Sequence, residues 1–293
     1  MTFETRSDRV VVAINGKPFT NLYYGKDANK RFLHPLTSAT GKIVTRGIAS
    51  DPVTGDRTDN PHQRGVWVGS ELLNGTDFWE NDPSYQRTHM GKIEFKDLTA
   101  AVSGKDRGTL SFLAKWITED GRFLVAEKQT VLFYAQPNDC RMFDVDLELE
   151  GKQRVRFEDH ADNVIGIRLG LPFDDHYGGK VANAQGIVGS AVRGARSEWA
   201  DWMATVGGEK VGVAIFDHPL NLNYPCRWNV KLYGIMFANP FGQHAFDPTA
   251  PMLSYTLEPG KKIHLRYRFL VHPIGTDLNR VAKNFADSHG ASE

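Results

Sequence analysis

Apolar and polar residues alternate with a period of two along much of this chain. In Met142-Phe143-Asp144-Val145-Asp146-Leu147-Glu148-Leu149, Phe143, Val145, Leu147 and Leu149 fall on one face, and Asp144, Asp146 and Glu148 fall on the other. That is the pattern of a strand with one buried and one wet face, so the acidic trio reads as a solvated face and not as a metal cluster. The pattern predicts strands over residues 10–14, 19–24, 32–36, 65–70, 92–102, 109–116, 123–134, 141–149, 155–157, 164–171, 211–216, 232–237, 252–257 and 263–271. Asn15-Gly16 between the first two predicts a tight hairpin, because both turn positions take positive φ. Asp120-Gly121 marks a second turn. A helical period stands out only near the end, where Leu278, Val281, Ala282 and Phe285 form an apolar stripe with Thr276 as cap and Gly290 as stop. A shorter helical turn is expected over 197–202. There is no βαβ alternation, no repeat and no composition break. The expected fold is all-β: one large antiparallel β-sandwich over 1–293 with a C-terminal helix.

Composition narrows the partners. Lys plus Arg is 35 and Asp plus Glu is 35, a formal net charge of zero. Phosphate neutralisation dominates nucleic-acid affinity, and no basic run is present, so nucleic acid is not an expected partner. Lys261, Lys262, Arg266 and Arg268 sit inside an alternating strand and read as a solvated face. Hydrophobic residues at 41% exclude wholesale disorder. No stretch approaches the roughly 20 apolar residues that span a bilayer, and Met1 to Arg9 holds no apolar signal region. The expectation is no membrane and a cytoplasmic location, or a periplasmic one if a signal peptide was removed. Two cysteines, Cys140 and Cys226, exclude a disulfide scaffold and read as small buried apolar residues.

Candidate chemistry is concentrated in two segments. The first, residues 33–80, is dense in His, Arg, Asp and Trp and poor in strand pattern. It reads as a long ordered loop, and long loops without structure of their own are usually functional. An aromatic face covers the apolar face of a sugar ring, while charged groups bind its hydroxyls. His34, Arg46, His62, Arg64, Trp67, Asp77 and Trp79 are its candidates. The second segment offers Asp217, His218, Trp228, Tyr233 and Asn239. His218 beside Asp217 fits a general acid or base. His160, in Glu158-Asp159-His160-Ala161-Asp162, reads as a turn. Glu127 lies on a long strand and would reach a ligand only from a concave face. His34, His62 and His218 are the histidines available for a metal site, but their spacing matches no fixed metal motif.

The ordered set H-P-L…G-x-x-V-T-R-G, T-D-x-P-H-Q-R-G-V-W and N-G-x-D-F-W resembles the bacterial PmoA-like family, labelled methane oxygenase. Gly166-Ile167-Arg168-Leu169, Gly212 to Pro219, Tyr233-Gly234 and Ala238 to Gly242 extend the resemblance from about Tyr24 to His272. Where many members read D-H-P-H-H or D-H-P-H-Q, this chain has Asp59-Asn60-Pro61-His62-Gln63. The resemblance implies the large supersandwich of galactose mutarotases and related carbohydrate-active domains.

The expected function is acid/base chemistry on a small-molecule carbohydrate or oxidised glycoside, of mutarotase, epimerase, lyase or hydrolase type. His62 and His218 would be its acid and base, no cofactor is implied, and the oligomeric state is left open. A non-catalytic carbohydrate-binding protein and the metal-dependent oxygenase of the family label are the alternatives.

Overall fold

A computed structural model describes residues 1–25 and 28–288. The described strands, in chain order, are β1 (Thr2–Thr5), β2 (Arg9–Ile14), β3 (Lys17–Tyr23), β4 (Phe32–His34), β5 (Val66–Ser70), β6 (Lys92–Val102), β7 (Arg107–Ile117), β8 (Phe123–Tyr134) and β9 (Arg141–Gly151). They continue with β10 (Val155–Phe157), β11 (Asn163–Arg168), β12 (Lys180–Asn183), β13 (Trp199–Val206), β14 (Glu209–Asp217), β15 (Arg227–Lys231), β16 (Ile235–Asn239), β17 (Tyr255–Leu257) and β18 (Lys262–Pro273). One α-helix, α1 (Leu278–Asp287), follows.

Two eight-stranded sheets form the sandwich. The first runs β1-β2-β3-β4-β5-β11-β16-β15, and the second runs β12-β13-β14-β18-β9-β8-β7-β6. Neighbours pair antiparallel throughout, and β10 with β17 forms a small separate ribbon. The inward alternate residues of both sheets meet in one apolar cluster, including Val12, Ile165 and Trp228 from the first and Phe143, Val213 and Leu265 from the second. The Asn15-Gly16 turn takes φ of 52° and 74° and joins β2 to β3 as expected. The all-β sandwich with a C-terminal helix is therefore the observed architecture.

Several local expectations change. Residues 197–202 do not form a helical turn; most of them belong to β13. Its run Trp199-Ala200-Asp201-Trp202-Met203-Ala204 lacks alternation because α1 packs on its outer side, where Trp199 Nε1 donates to Asn279. Strands β1, β12 and β15 lie outside the predicted set. Asp277, not Thr276, caps the helix by accepting from Arg280 N–H at 3.0 Å, and Gly290 lies outside the described residues.

The alternating charges of β9 and β18 face each other across the ladder. Arg268 opposes Asp144 and Arg266 opposes Asp146, at 2.7 and 3.0 Å. Opposite charges directly across a ladder stabilise it. Asp144 is buried rather than wet, because Tyr134 donates to it and α1 brings Phe285 over the Arg268 guanidinium. Cys140 and Cys226 are both buried free thiols.

Candidate functional site on the outer face of the first sheet

The register of the first sheet aligns Arg9, Tyr23, Phe32, Trp67, Gly166, Phe237 and Asn229 in a single row from β2 to β15. This row faces away from the sandwich interior. Phe32, Trp67 and Phe237 join Ile48, Trp79 and Ile235 in a second apolar cluster, built where the segments on either side of β5 fold back over the sheet. Trp79 settles 5.1 Å from the Trp67 ring and 4.7 Å from that of Phe237. Gly166 makes the close packing possible, since a Cβ there would stand 2.0 Å from Phe237 Cδ1. Trp67 and Trp79 are each 1% exposed, so they form the floor's interior and offer no stacking face.

Buried arginines fix the covering segment. Arg46 donates to the backbone carbonyls of Asp59, Asn60 and Gln63. Arg168 reaches Gln63 Oε1 at 2.8 Å and Asp59 at 3.2 Å, with Tyr233 beneath its guanidinium. These donors satisfy loop carbonyls that would otherwise be buried without partners. Asp77 works likewise, accepting from the N–H groups of Trp79 and Glu80. Asn239 spans the carbonyls of His160 and Ala161 and the N–H groups of Phe241 and Gly242.

Two histidines on this face are held neutral. Burial lowers His34 to about 4 against the pull of Asp51. Burial, then Lys30, Lys231, Arg46 and Arg87, pushes His62 down to about 2, and its Nδ1 meets the Tyr85 hydroxyl at 3.0 Å. Such an imidazole is a hydrogen-bonding group and a poor proton acceptor.

At the end of the sheet near β11 and β15, titratable groups converge, with Glu71, His160 and Lys231 partly exposed and Asp162 and Asn229 buried. Glu71 follows the end of β5, His160 and Asp162 precede β11, and Asn229 and Lys231 alternate outward on β15. His160 Nδ1 lies 3.1 Å from Glu71 Oε2 and 3.3 Å from the Asp162 N–H. Asn229 donates to Asp162 Oδ1 at 2.6 Å, and the Lys231 ammonium is 3.6 Å from Oδ2. Burial raises Glu71, and His160 only partly offsets this. Burial opposes charge on His160, but the Glu71 carboxylate, Asp162 and Asp77 outweigh it and raise that pKa as well.

At the other end of the row, Tyr23 and Phe32 stack at 5.0 Å and line a cleft of about 360 Å³ with Arg9, Ile48, Ser50 and Arg64. Arg64 also borders an adjoining cleft of about 150 Å³ with Arg46 and Arg57. It is tied to Asp82 at 2.5 Å and to the Pro61 carbonyl.

The structure thus gathers His34, Arg46, His62, Arg64, Trp67, Asp77, Trp79, Tyr233 and Asn239 on one covered face. Three predicted residues are elsewhere. Trp228 points into the interior and donates to the Ser197 carbonyl. Asp217 is buried and accepts from Cys226 N–H and Asn221. His218 lies on the outer side of the second sheet, against Phe285 of α1. His62 and His218 therefore do not flank one ring, and His34, His62 and His218 do not converge. Alternation along β14 and β15 decides this, because a one-residue step changes the face. Glu71, Asp162, Asn229, Lys231 and Lys30 escaped the sequence reading. The signal available was the outward alternation of Asn229 and Lys231 and the short His160-Ala161-Asp162 spacing.

Among the described residues, one group offers three clustered metal-type ligand atoms, from Glu71, His160 and Asp162, all within 4.8 Å. Both Asp162 oxygens already face donors, the Asn229 amide and the Lys231 ammonium. A cation there would meet an existing positive charge, so the group fits a metal poorly.

No helix among the described residues is long and apolar enough to cross a membrane. No curated protein matches the sequence. Among solved structures, the chain is similar to a galactose mutarotase related enzyme from Lactobacillus acidophilus, at 11% identity and TM-score 0.37, over 92% of this chain and 96% of that one. It is also similar to the protein HI1317, at 8% identity and TM-score 0.29, over 92% of this chain and 98% of that one. A family model matches residues 9–286, nearly the whole sandwich, and the chain belongs to that family, the family of unknown function DUF6807.

Proposed function

We propose that this protein is a carbohydrate-active enzyme that moves protons at the Glu71–His160 pair. The observation that carries the reading is the position of His160 Nδ1 between a carboxylate oxygen and a backbone N–H. Neutral imidazole accepts from the Asp162 N–H through that nitrogen; protonated imidazole donates through it to Glu71. Both groups are partly exposed and have raised pKa values, Glu71 through burial and His160 chiefly through the Glu71 carboxylate. Lys231 and the exposed edge of Asp162 would orient hydroxyls of a sugar or oxidised glycoside, with the buried Asn229 holding Asp162 in place. The chemistry is that of an isomerase, lyase or hydrolase working by acid and base. The PmoA-like resemblance would instead imply an oxygenase, and the crowding of Asp162 by cation and amide weighs against it.

The test is a screen of oxidised and unoxidised glycosides, followed by variants on the substrate found. Glu71→Gln and His160→Gln should each lower kcat by about 10²–10⁴-fold while sugar binding persists. Unchanged turnover in both would overturn the proposal. A protein that binds a glycoside without converting it would support the carbohydrate-binding alternative.

A further inference from the structure

Arg64 borders both adjoining clefts on the outer face of the first sheet, of about 360 and 150 Å³, and joins them in one groove. The larger falls within the size range of small-molecule sites. Register across β2, β3 and β4 builds its wall, with Arg9 opposite Tyr23 and Tyr23 opposite Phe32. The two rings stack 5.0 Å apart at 12°. A guanidinium stands over each ring, Arg9 at 5.4 Å from the centre of Tyr23 and Arg64 at 5.6 Å from that of Phe32. Planar cations rest on aromatic faces, so both are oriented before any ligand arrives.

The larger cleft is rich in donors and poor in free acceptors. Arg64 uses Nε on the Pro61 carbonyl and one Nη2 hydrogen on the buried Asp82. A guanidinium carries five N–H donors, so Nη1 and the second Nη2 hydrogen are left over. Arg9 gives only Nη1 to Asp8. Tyr23 and Ser50 add hydroxyl-bearing side chains to the lining, and Phe32 and Ile48 add apolar surface. The acids along the groove are already engaged, Asp8 by Arg9, and Asp56 by the N–H groups of Gly47 and Leu171. Arg46 and Arg57, on the smaller cleft, are turned toward Asp59. Arg9 and Arg64 are thus the cations facing the larger cleft. Asp8 and Asp82 each offset one of them, so a monoanion suits the cleft better than a dianion. Two coplanar oxygens match the fork of a guanidinium.

We infer that this groove is a binding site for a carboxylate-bearing sugar, with the carboxylate on the free edge of Arg64 and the hydroxyls toward Arg9, Tyr23 and Ser50. The site lies at the opposite end of the row from the Glu71–His160 pair. It therefore goes beyond the acid/base proposal and takes from it only the carbohydrate nature of the ligand.

Calorimetry on the full chain at low salt uses D-glucuronate, D-galacturonate, D-glucose and inorganic phosphate. At least one uronate should bind about 10-fold or more tightly than glucose and phosphate, and added salt should weaken it. Arg64→Lys keeps a charge for Asp82 but loses the fork. Arg9→Gln removes a donor whose partner, Asp8, is half-exposed, so it leaves no buried charge behind. Each should weaken uronate binding by about 10–100-fold, the range of a hydrogen bond to a charged group, while Arg9→Gln keeps the native circular dichroism spectrum. Uronates that bind no better than glucose, phosphate that binds more tightly than either uronate, or native uronate affinity in both variants overturns the inference. Glu71→Gln should bind the uronate as the native chain does, so the failure of the acid/base proposal and the failure of this one give different results.

Discussion

Nδ1 of His160 stands 3.1 Å from Oε2 of Glu71, joining the loop before β11 to the end of β5. Each residue shifts the other. Removing the Glu71 charge leaves burial as the main influence on His160, and burial lowers a histidine. In Glu71→Gln the His160 pKa should fall below its ordinary 6.5, read from its imidazole resonances across pH. A value that stays raised would mean that Glu71 does not hold the proton. In the intact protein, a reaction needing ionised Glu71 and protonated His160 rises with pH through the raised Glu71 pKa and falls through the raised His160 pKa.

A second histidine–carboxylate pair is structural. His272 Nε2 is 3.2 Å from Asp201 Oδ1, and its Nδ1 is 3.0 Å from the Pro273 carbonyl. Both groups titrate higher in the fold than when free, Asp201 through burial and His272 because Asp201 outweighs burial. The folded state therefore binds more protons than the unfolded one. Stability from His272 is complete below 6.5 and declines as pH rises through its folded pKa, and that from Asp201 declines from 3.8 upward. Thermal midpoints should drop as pH rises above 6.5 through the folded pKa of His272, and the double variant Asp201→Asn with His272→Gln should flatten that drop.

Glu127 is not at a ligand face. It accepts from Arg31 at 2.8 Å and from Trp116 Nε1 at 2.7 Å inside the sandwich. Glu127→Ala leaves a buried guanidinium without its charge partner and should cost about 3–5 kcal/mol. Denaturant unfolding measures it, and a loss under about 1 kcal/mol would show that Arg31 finds water or another acceptor.

His218 and His160 should separate stability from function. His218→Ala removes packing against Phe285 and should destabilise by about 0.5–3 kcal/mol while leaving sugar turnover intact. His160→Ala should do the reverse. Chemical denaturation with a turnover assay on the same samples decides between them.

Much of the fold was legible in the sequence. The long strands β6, β8 and β9 carry alternation over many residues, and Asn15-Gly16 could satisfy its turn only with positive φ. Strands covered on both sides, such as β13, lose that pattern because nothing on either face needs to be polar. The candidate site was half legible. Residues 33–80, read as a long loop bearing sugar-binding side chains, contain β5 and fold over the first sheet, with their tryptophans as floor and their arginines as struts.

Local periodicity and turn chemistry determined an antiparallel sandwich, because they depend on neighbours one or two residues away. Which outward residues meet depended on strand order. Placing β11 between β5 and β16 brings His160 to Glu71, and β15 at the sheet edge adds Asn229 and Lys231. The same packing sends His218 to the far side beneath α1. These are long-range contacts, fixed by burial of both sheets' inner faces together, and no short window of sequence encodes them.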